Sequence, residues 1–317
     1  MSPPTDVVLI TGAAGFVGAN LTRRLVERGA TVHVLARPST SLWRLDDVRA
    51  QVTVHVADLT DREAVARAVA AADPAVVFHL AKHRGNPAAL DYDAAWAANL
   101  RATEYLLQAV RGRRLRRFVH AGSSLEYDLA RSPLCEADAP APATVHGVTK
   151  AAASLLCQQF ARQHGVPAVV LRFFTVYGPW EGPTRFIPAV MMAAIDRGAV
   201  QVTRDGLAHD RIHVDDVVDA CERAAATGGL DGEIINVATG RQSSNEDVVS
   251  IVERLAGRPI VRAAEPFPMR AWDTSHWVAD VTKARARLGW RARLSLDDGL
   301  AETYAWFSRH AAHYRGP

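Results

Sequence analysis

The chain has 317 residues, a length that suits one large α/β unit or a nucleotide-binding domain with a smaller partner. Hydrophobic residues make up 49% of it, enough for a sizeable core, and the formal net charge of +3 is too small to indicate a nucleic-acid partner. The basic excess is local, at 111–120. The arginines there are not interleaved with aromatic residues, so we interpret this run as a solvated helix end.

Cysteine usage and apolar runs bear on location. Cys135, Cys157 and Cys221 show no metal or redox spacing, which indicates reduced thiols in an intracellular setting. No stretch fits a signal peptide, and none is long and apolar enough to span a bilayer. We therefore expect a soluble, cytoplasmic protein with no membrane partner.

Short apolar runs alternate with helical segments over the first two thirds of the chain. The predicted strands are 7–11, 31–36, 52–61, 74–81, 117–124 and 167–178. The predicted helices include 19–29, 93–112 and 148–164. Because repeated β-α units with apolar strands form parallel sheets covered on both faces, the pattern predicts an α/β fold with a Rossmann-type, doubly wound parallel sheet.

The pattern loosens after Gly178, where prolines cluster. We expect residues 1–176 to form a dinucleotide-binding domain of the Rossmann type, which late strands near 208–240 also join. Residues 177–207 and 241–317 are expected to form a smaller substrate-binding region.

The segment TGAAGFVG places Gly12, Gly15 and Gly18 between the first strand and the first helix. Glycines allow a tight turn and a close approach of the backbone to a pyrophosphate, while the helix N-terminus supplies free N–H groups and the positive end of a dipole. The motif alone is weak, but the strand-turn-helix context at the start of the chain makes it specific. It predicts a dinucleotide site.

The end of the second strand distinguishes the two nicotinamide cofactors. A carboxylate there would bind the ribose 2′-hydroxyl of NAD, but this chain has Ala36 followed by Arg37. Because a guanidinium suits a 2′-phosphate, the sequence favours NADP(H), with NAD(H) as the other option, unless Arg37 is merely exposed. Asp58, after the third strand, is expected either to bond the adenine amino group or to cap the helix from Thr60.

Further segments follow in order: ADLTD, VFHLA, NLRATEYLLQA (99–109), AGSSLEYD (121–128), LRFFTVYGP (171–179), DRIHVDDVVDA (210–220), INVATG (235–240) and VADVTKARARLGW (278–290). Together with the glycine motif they make the chain resemble the extended short-chain dehydrogenase/reductase family, in its branch of NAD(P)-dependent nucleotide-sugar epimerases, dehydratases and ketoreductases. The resemblance covers nearly the whole chain. It is specific for the fold and much less so for the substrate.

In that family a serine or threonine polarises a substrate carbonyl, a tyrosine exchanges the hydroxyl proton, and a lysine four residues later binds the nicotinamide ribose. The resemblance gives the first role to Ser123, with Ser124 as an alternate, and the lysine role to Lys150. The tyrosine position holds His146. Because positions i and i+4 of a helix share a face, His146 and Lys150 are expected side by side.

Three interpretations of His146 stay open. The nearby Lys150 cation lowers the pKa of the imidazole, so His146 is expected to be mostly neutral at pH 7, a reasonable general base and a poor general acid. His146 acts as the acid/base of a standard hydride transfer; or Tyr127, Tyr177 or His83 does the proton work; or the chain has lost redox turnover and only binds its ligands.

The resemblance also implies the residues around both ligands. Cofactor contacts are expected from Gly12, Ala14, Gly15, Phe16, Val17, Gly18, Arg37, Asp58, Leu59, Leu80, Ala81, Lys82, Asn99, Lys150, Phe173, Thr175 and Val176. Substrate contacts are expected from His83, Ser124, Thr175, Tyr177, Arg185, Phe186, His209, Arg211 and Arg270. Arg270 has the spacing that the family uses for a diphosphate-binding arginine. No metal site is expected.

These features predict an NADP(H)-dependent reductase of a nucleotide-linked keto-deoxysugar, in the first place a 4-ketoreductase. The alternatives are a nucleotide-sugar 4-epimerase and, in another class, a non-redox or ligand-binding homologue that keeps the cofactor site. Arg37, Thr175 and the lack of dehydratase acids at Ser124 and Leu125 favour the reductase. Because the family commonly dimerises through two helices, here near 93–112 and 148–164, a homodimer is expected.

Overall fold

The computed structural model describes residues 6–83, 91–128, 130–203, 206–267 and 274–315. Its centre is a seven-stranded sheet in which every strand pairs parallel with its neighbours. The strands are β1 (Val7–Thr11), β2 (Thr31–Ala36), β3 (Val52–Val56), β4 (Val76–His79), β5 (Arg117–Ser123), β6 (Ala168–Phe173) and β10 (Ile234–Val237). Their order, β10-β6-β5-β4-β1-β2-β3, confirms the predicted doubly wound sheet.

Helices cover both faces of this sheet, since successive strand residues point to opposite sides. The helices are α1 (Phe16–Glu27), α2 (Arg62–Ala72), α3 (Tyr92–Ala95), α4 (Ala102–Val110), α5 (Val145–His164), α6 (Phe186–Asp196), α7 (Val214–Ala226), α8 (Asn245–Ala256), α9 (Thr282–Leu288) and α10 (Leu296–His310). Ile10 and Val34 pack with α1, α7 and α9. Leu9 and Phe118 pack with α2, α4 and α5 on the other face.

A smaller region follows β6. The strands β7 (Thr175–Tyr177), β9 (Ala208–His213) and β11 (Gln242–Ser244) form a three-stranded sheet, and β8 (Ala199–Val200) pairs with β12 (Val261–Arg262). The helices α6, α8 and α10 enclose a separate apolar core. Of the late strands expected in the main sheet, β10 joins it, whereas β9 pairs with β7 and β11. The run 167–178 therefore divides after Phe173, because β7 leaves the main sheet to pair with β9.

The helix expected near 93–112 is continuous but irregular. A π-helical segment, Trp96–Arg101, joins α3 to α4 and carries the buried Asn99. Such segments are frequent at functional sites, because the extra residue in the turn changes where side chains point. Among the helices of the described residues, none has the length and apolar character needed to cross a membrane.

Candidate active site

The turn between β1 and α1 has no room for side chains. Gly12 has a φ of +74°, and a Cβ added there would lie 2.6 Å from the backbone nitrogen of Ala81. A Cβ on Gly18 would lie 2.2 Å from the carbonyl oxygen of Gly12. Helix α1 begins at Phe16 after Gly15, which provides no side-chain cap, and its first turn carries no acidic residue. The first amide groups of α1 therefore suit the diphosphate of a dinucleotide.

Two polar side chains that sequence reasoning missed support this turn from outside. The buried guanidinium of Arg44 lies 3.5 Å from the carbonyl oxygen of Ala14 and donates to the carbonyl oxygen of Trp180 at 2.9 Å. Asn20 donates to the carbonyl oxygen of Pro179 at 2.9 Å. No local pattern announces these contacts, because the partners are far apart in the chain. They hold the glycine turn against the segment that follows β7.

Residues at the ends of β2 and β3 surround the position expected for the adenosine half. Arg37 follows β2 and is exposed to solvent. The carboxylate of Asp58 accepts hydrogen bonds from the backbone and hydroxyl of Thr60, at 2.9 and 2.8 Å. Helix α2 is capped by Asp61 and not by Asp58, so the second of the two alternatives for Asp58, a helix cap, is wrong. Asp58 instead closes the turn before that helix.

Other predicted cofactor residues also gather at the carboxyl edge of the sheet. They are Leu59 after β3, Leu80, Ala81 and Lys82 after β4, Phe173 at the end of β6, and Thr175 and Val176 in β7. Because the strands are parallel, this edge collects their following residues in one place, which is where ligands of doubly wound sheets bind.

Lys150 is held under the end of β5. Its buried ammonium group donates to the carbonyl oxygen of Ala121 at 2.8 Å. Burial lowers the pKa of Lys150 to about 8, with the carboxylate of Glu126 acting in the opposite direction. The remaining ammonium hydrogens are available to ribose hydroxyls at the carboxyl edge of β5, as the resemblance implies.

His146 lies one turn before Lys150 on α5 and is half-buried. Burial, followed by the charges of Lys150, Lys82 and His83, lowers the pKa of its imidazole to about 3. The direction agrees with the expectation, but burial contributes more than Lys150 does. Among the described residues the imidazole makes no hydrogen bond. In the free protein His146 is therefore neutral at pH 7 and a weaker base than an ordinary histidine.

A chain of hydrogen bonds fixes the residues after β4 against α5. The backbone N–H of His83 donates to Oδ1 of Asn99 at 2.8 Å, and Nδ2 of Asn99 donates to the hydroxyl of Thr149 at 2.9 Å. That hydroxyl lies 3.0 Å from the carbonyl oxygen of His146. Asn99, expected as a cofactor contact, thus also sets the relative position of His83 and His146.

Ser123 ends β5 with its hydroxyl hydrogen available. Its Oγ accepts the backbone N–H of Leu125 at 3.2 Å, and none of the described residues accepts a bond from its hydroxyl. Its own N–H donates to Oε1 of Glu126 at 2.7 Å, and Oε2 of Glu126 pairs with Nε of Arg172 at 2.8 Å. This ion pair is fully buried, and sequence reasoning missed it. Ser123 can therefore donate to a substrate oxygen from a fixed backbone, whereas Ser124 is buried.

Tyr127 and Tyr177, the two tyrosines considered for proton transfer, are both buried. Tyr127 is fully buried, and its hydroxyl donates to Oδ1 of Asn236 at 2.7 Å. Tyr177 is 1% exposed and packs edge-on against the His213 ring. Burial raises the pKa of both phenols. The hydroxyl of Tyr127 is thus used in a hydrogen bond within the core. The spacing of residues in the sequence does not reveal this contact.

The expected substrate residues are divided between surface and core. Arg185 is exposed before α6, which begins at Phe186, and its guanidinium lies 3.6 Å from the carboxylate of Glu181. Arg211 is buried and bonds Ser243 and Asn245. The ring of His209 packs against Trp277 at 5.2 Å. Arg270 lies outside the described residues. The guanidinium of Arg211, expected to contact substrate, therefore takes part in a structural network.

Glu181 is a buried carboxyl that the sequence did not single out. It is 4% exposed, and its Oε2 has no hydrogen-bond partner among the described residues. Burial raises its pKa from 4.5 to about 7, although Arg185 acts in the opposite direction. Burial prevails because the Arg185 side chain is 57% exposed, so that water screens its charge.

Within the described residues, His213, Asp215 and Glu302 place possible metal-ligand atoms within 4.8 Å of one another. Nδ1 of His213 already accepts the N–H of Asp215, and Arg24 lies 3.6 Å from the Asp215 carboxylate. These contacts account for the group as the capped N-terminus of α7.

Comparison with known proteins identifies the relatives of this chain. The model of the NAD dependent epimerase/dehydratase family matches residues 8–238. The chain is 30% identical over 328 residues to the UDP-glucose 4-epimerase of Streptomyces lividans. This alignment covers 96% of the present chain and 97% of the relative. Other relatives are named as dTDP-glucose 4,6-dehydratases.

Solved structures give the same architecture. The UDP-glucuronic acid 4-epimerase of Bacillus cereus, solved with UDP-glucuronic acid and NAD, superimposes with a TM-score of 0.84 at 25% identity, over 96% of this chain and 99% of that one. MoeE5, also solved with UDP-glucuronic acid and NAD, superimposes with a TM-score of 0.85 at 32% identity, again over 96% and 99%. The predicted fold and family are confirmed.

Proposed function

Since the chain belongs to the NAD dependent epimerase/dehydratase family, and relatives in it are named as epimerases and dehydratases of nucleotide sugars, we propose that it is a nucleotide-sugar 4-epimerase. The expectation of a keto-deoxysugar 4-ketoreductase rested on Arg37, Leu125 and Thr175. It finds no support in the relatives, which are named as epimerases and dehydratases. The alternative prediction, a 4-epimerase, fits them better.

The placement of Lys150 carries this proposal. Its ammonium lies 2.8 Å from the carbonyl oxygen of Ala121, two residues before Ser123 and one helical turn after His146. A hydrogen-bond donor, a proton acceptor and a ribose-binding cation thus occupy the carboxyl edge of the sheet that also carries the glycine turn. This is the set of groups that reversible oxidation of a sugar hydroxyl requires.

The described residues divide the work as follows. A nicotinamide dinucleotide, held by the glycine turn and Lys150, supplies a reversible hydride acceptor. Ser123 donates a hydrogen bond to the reacting oxygen of the sugar. His146 accepts the proton of that hydroxyl and returns it when the opposite face of the sugar has been presented. The proton count then closes over one cycle, as epimerisation demands.

The cofactor is proposed to be NAD, with NADP tolerated. The solved relatives named above hold NAD, and the NADP preference expected from Arg37 is not supported by them. The tolerance follows from Arg37, because an exposed guanidinium at the end of β2 neither repels a 2′-phosphate nor replaces the acid that binds a 2′-hydroxyl. Denaturing the purified protein and identifying the released nucleotide tests this assignment.

A homodimer is proposed from one apolar face. Tyr92, Trp96, Val148 and Leu155 are 52%, 37%, 40% and 51% exposed, on helices that pack against each other. Exposed apolar groups gathered in this way indicate an interface. Trp96→Ser with Leu155→Ser should convert the dimer to a monomer in light scattering. Leu255→Ser, at a residue 38% exposed outside this face, is the matched control.

The function is tested by incubating the enzyme and NAD with UDP-glucose in one reaction and with UDP-glucuronic acid in another. The sugar signals are followed by NMR. Formation of the C4 epimer with no added reductant supports the proposal. His146→Phe should abolish it, while His146→Tyr should retain it. Oxidation of NADPH by a nucleotide-linked 4-keto-6-deoxyhexose without epimer formation would show a reductase instead. Binding without any reaction would show a ligand-binding homologue.

A further inference from the structure

The surroundings of His146 carry positive charge. The groups that lower its pKa besides burial are Lys150, Lys82 and His83, and no carboxylate of the described residues acts on it in the opposite direction. Glu126, three residues after the end of β5, is buried in its pair with Arg172. A proton that arrives on His146 is therefore placed near the cations of Lys150 and Lys82.

This arrangement is built into the fold. His83 is tied to α5 through Asn99 and Thr149 by bonds of 2.8 and 2.9 Å, and Thr149 in turn bonds the carbonyl oxygen of His146. The ammonium of Lys82 lies 3.5 Å from the carbonyl oxygen of His83. Lys82 and His83 thus stand beside His146 because a buried amide and a buried hydroxyl hold their backbone there.

Among the described residues, no acidic side chain acts on the imidazole of His146 from the elements packed against it. Helix α5 contributes Lys150, and the segment after β4 contributes Lys82 and His83. The helix packed against α5 begins near Asp91 and Asp93, whose side chains cap or face the first turn of α3. Neither carboxylate is among the groups that shift the imidazole. With a neutral sugar, the described residues therefore offer the protonated imidazole no counter-charge.

We propose that Lys82 and His83 recognise a carboxylate carried by the sugar, that the working substrate is a nucleotide-linked hexuronic acid, and that this carboxylate supplies the negative charge that lets His146 hold the substrate proton. The inference rests on the proposed epimerase activity and adds its substrate class. Lys82 and His83 act as specificity-determining residues, and His146 remains the group that touches the reacting hydroxyl. An opposite charge within a few ångströms favours the protonated form of an imidazole.

The direct readout is the titration of His146 in the intact enzyme. Protein labelled with ¹³C-histidine is saturated with NAD and with either UDP-glucuronic acid or UDP-glucose, and His146→Gln identifies the signal. UDP-glucuronic acid should raise the pKa of His146 by roughly 1–3 units relative to UDP-glucose, which is the size of a close charge pair. The same pKa with both sugars would overturn the inference.

Variants assign the effect to its residues. Lys82→Met and His83→Asn should each lower kcat/KM for UDP-glucuronic acid by at least about tenfold and change that for UDP-glucose much less, since only the acid loses a charge or hydrogen-bond partner for its carboxylate. Lys283→Met is the matched control, because Lys283 pairs with Glu233 away from this site and should leave both values unchanged. Equal losses for both sugars in Lys82→Met and His83→Asn would contradict the assigned role.

Failure of this inference can be told apart from failure of the epimerase proposal. Epimerisation of UDP-glucose with a kcat/KM equal to or above that of UDP-glucuronic acid would remove the hexuronic acid and keep the epimerase. Binding of both sugars without epimerisation of either would remove the activity, and the inference with it. A preference for UDP-glucuronic acid that disappears in Lys82→Met supports both.

Discussion

The two halves of the site are built on different principles. On the cofactor side, the glycine turn is shaped by backbone alone, and a single added carbon at Gly12 or Gly18 would overlap backbone atoms. On the proton-transfer side, the backbone is an ordinary helix, and the behaviour of His146 depends on its burial and then on its charged neighbours. The first half tolerates almost no change of shape. The second can change its chemistry with no change of shape.

The largest expected effect is a loss of stability, and it tests whether a buried ion pair supports the proton-transfer side of the site. Arg172→Met leaves the Glu126 carboxylate buried and unpaired, which should cost about 3–5 kcal/mol in the free energy of unfolding measured with urea. Arg254→Met, which removes a pair whose side chains are both 64% exposed, should cost less than about 1 kcal/mol. Similar losses in the two variants would show that the buried pair of Glu126 and Arg172 contributes no more than a surface pair.

Gly18→Ala tests the rigidity of the cofactor side. The added Cβ would lie 2.2 Å from the carbonyl oxygen of Gly12, so the turn must shift. Overpacking of this kind costs roughly 1–3 kcal/mol, and we expect the affinity for NAD in calorimetry to fall by about a hundredfold. Gly228→Ala serves as control, because nothing lies within 4 Å of the added carbon there. Unchanged NAD affinity in Gly18→Ala would show that the turn is not the diphosphate site.

Glu181→Gln tests burial of charge near the substrate region. The pKa of Glu181 is raised from 4.5 to about 7, so the unfolded chain ionises at lower pH than the folded protein does. The native carboxyl therefore has no effect below about pH 4.5, reduces stability as pH rises from 4.5 to 7, and carries a constant penalty above 7. Urea unfolding at pH 8 should show the variant more stable by about 2–3 kcal/mol, a difference that disappears near pH 4. A constant difference across pH would contradict this.

The smallest expected effect concerns cofactor choice at the end of β2. Arg37→Asp adds an acid that bonds a ribose 2′-hydroxyl and repels a 2′-phosphate. The ratio of NADP to NAD affinity, measured by calorimetry, should fall by about tenfold or more, and the stability should stay within about 0.5 kcal/mol because Arg37 is exposed. An unaltered ratio would place the 2′ position elsewhere. Arg101→Asp, on the π-helical segment away from β2, is the control.

The sequence predicts the cofactor side well because its signal is local. Gly12, Gly15 and Gly18 stand within seven residues, and the parallel strands that follow bring the remaining residues to one edge of the sheet. The i and i+4 spacing likewise places His146 and Lys150 on one face of α5. In each case the contact is fixed by secondary structure, which apolar periodicity reveals.

Other parts of the site depend on contacts that no local pattern encodes. The pair of Glu126 with Arg172 and the brace of Asn99 on Thr149 join residues 46 and 50 positions apart. Tyr127 is one of the candidates for proton transfer, yet its hydroxyl donates to Oδ1 of Asn236 in the core. The departure of β9 from the main sheet was missed for the same reason, since pairing partners are decided by tertiary packing.

The brace from His83 to the backbone of His146 has a consequence for engineering. It uses the carbonyl oxygen of residue 146 and none of its side-chain atoms, so the position of this residue is set before its identity matters. Tyrosine or glutamate could be introduced there on the same backbone, and each side chain would have its own proton affinity at the same position, with glutamine as the variant that accepts no proton. Residue 146 can in this sense be replaced on a fixed backbone. A series of such variants would measure how much the proton acceptor itself contributes to the rate.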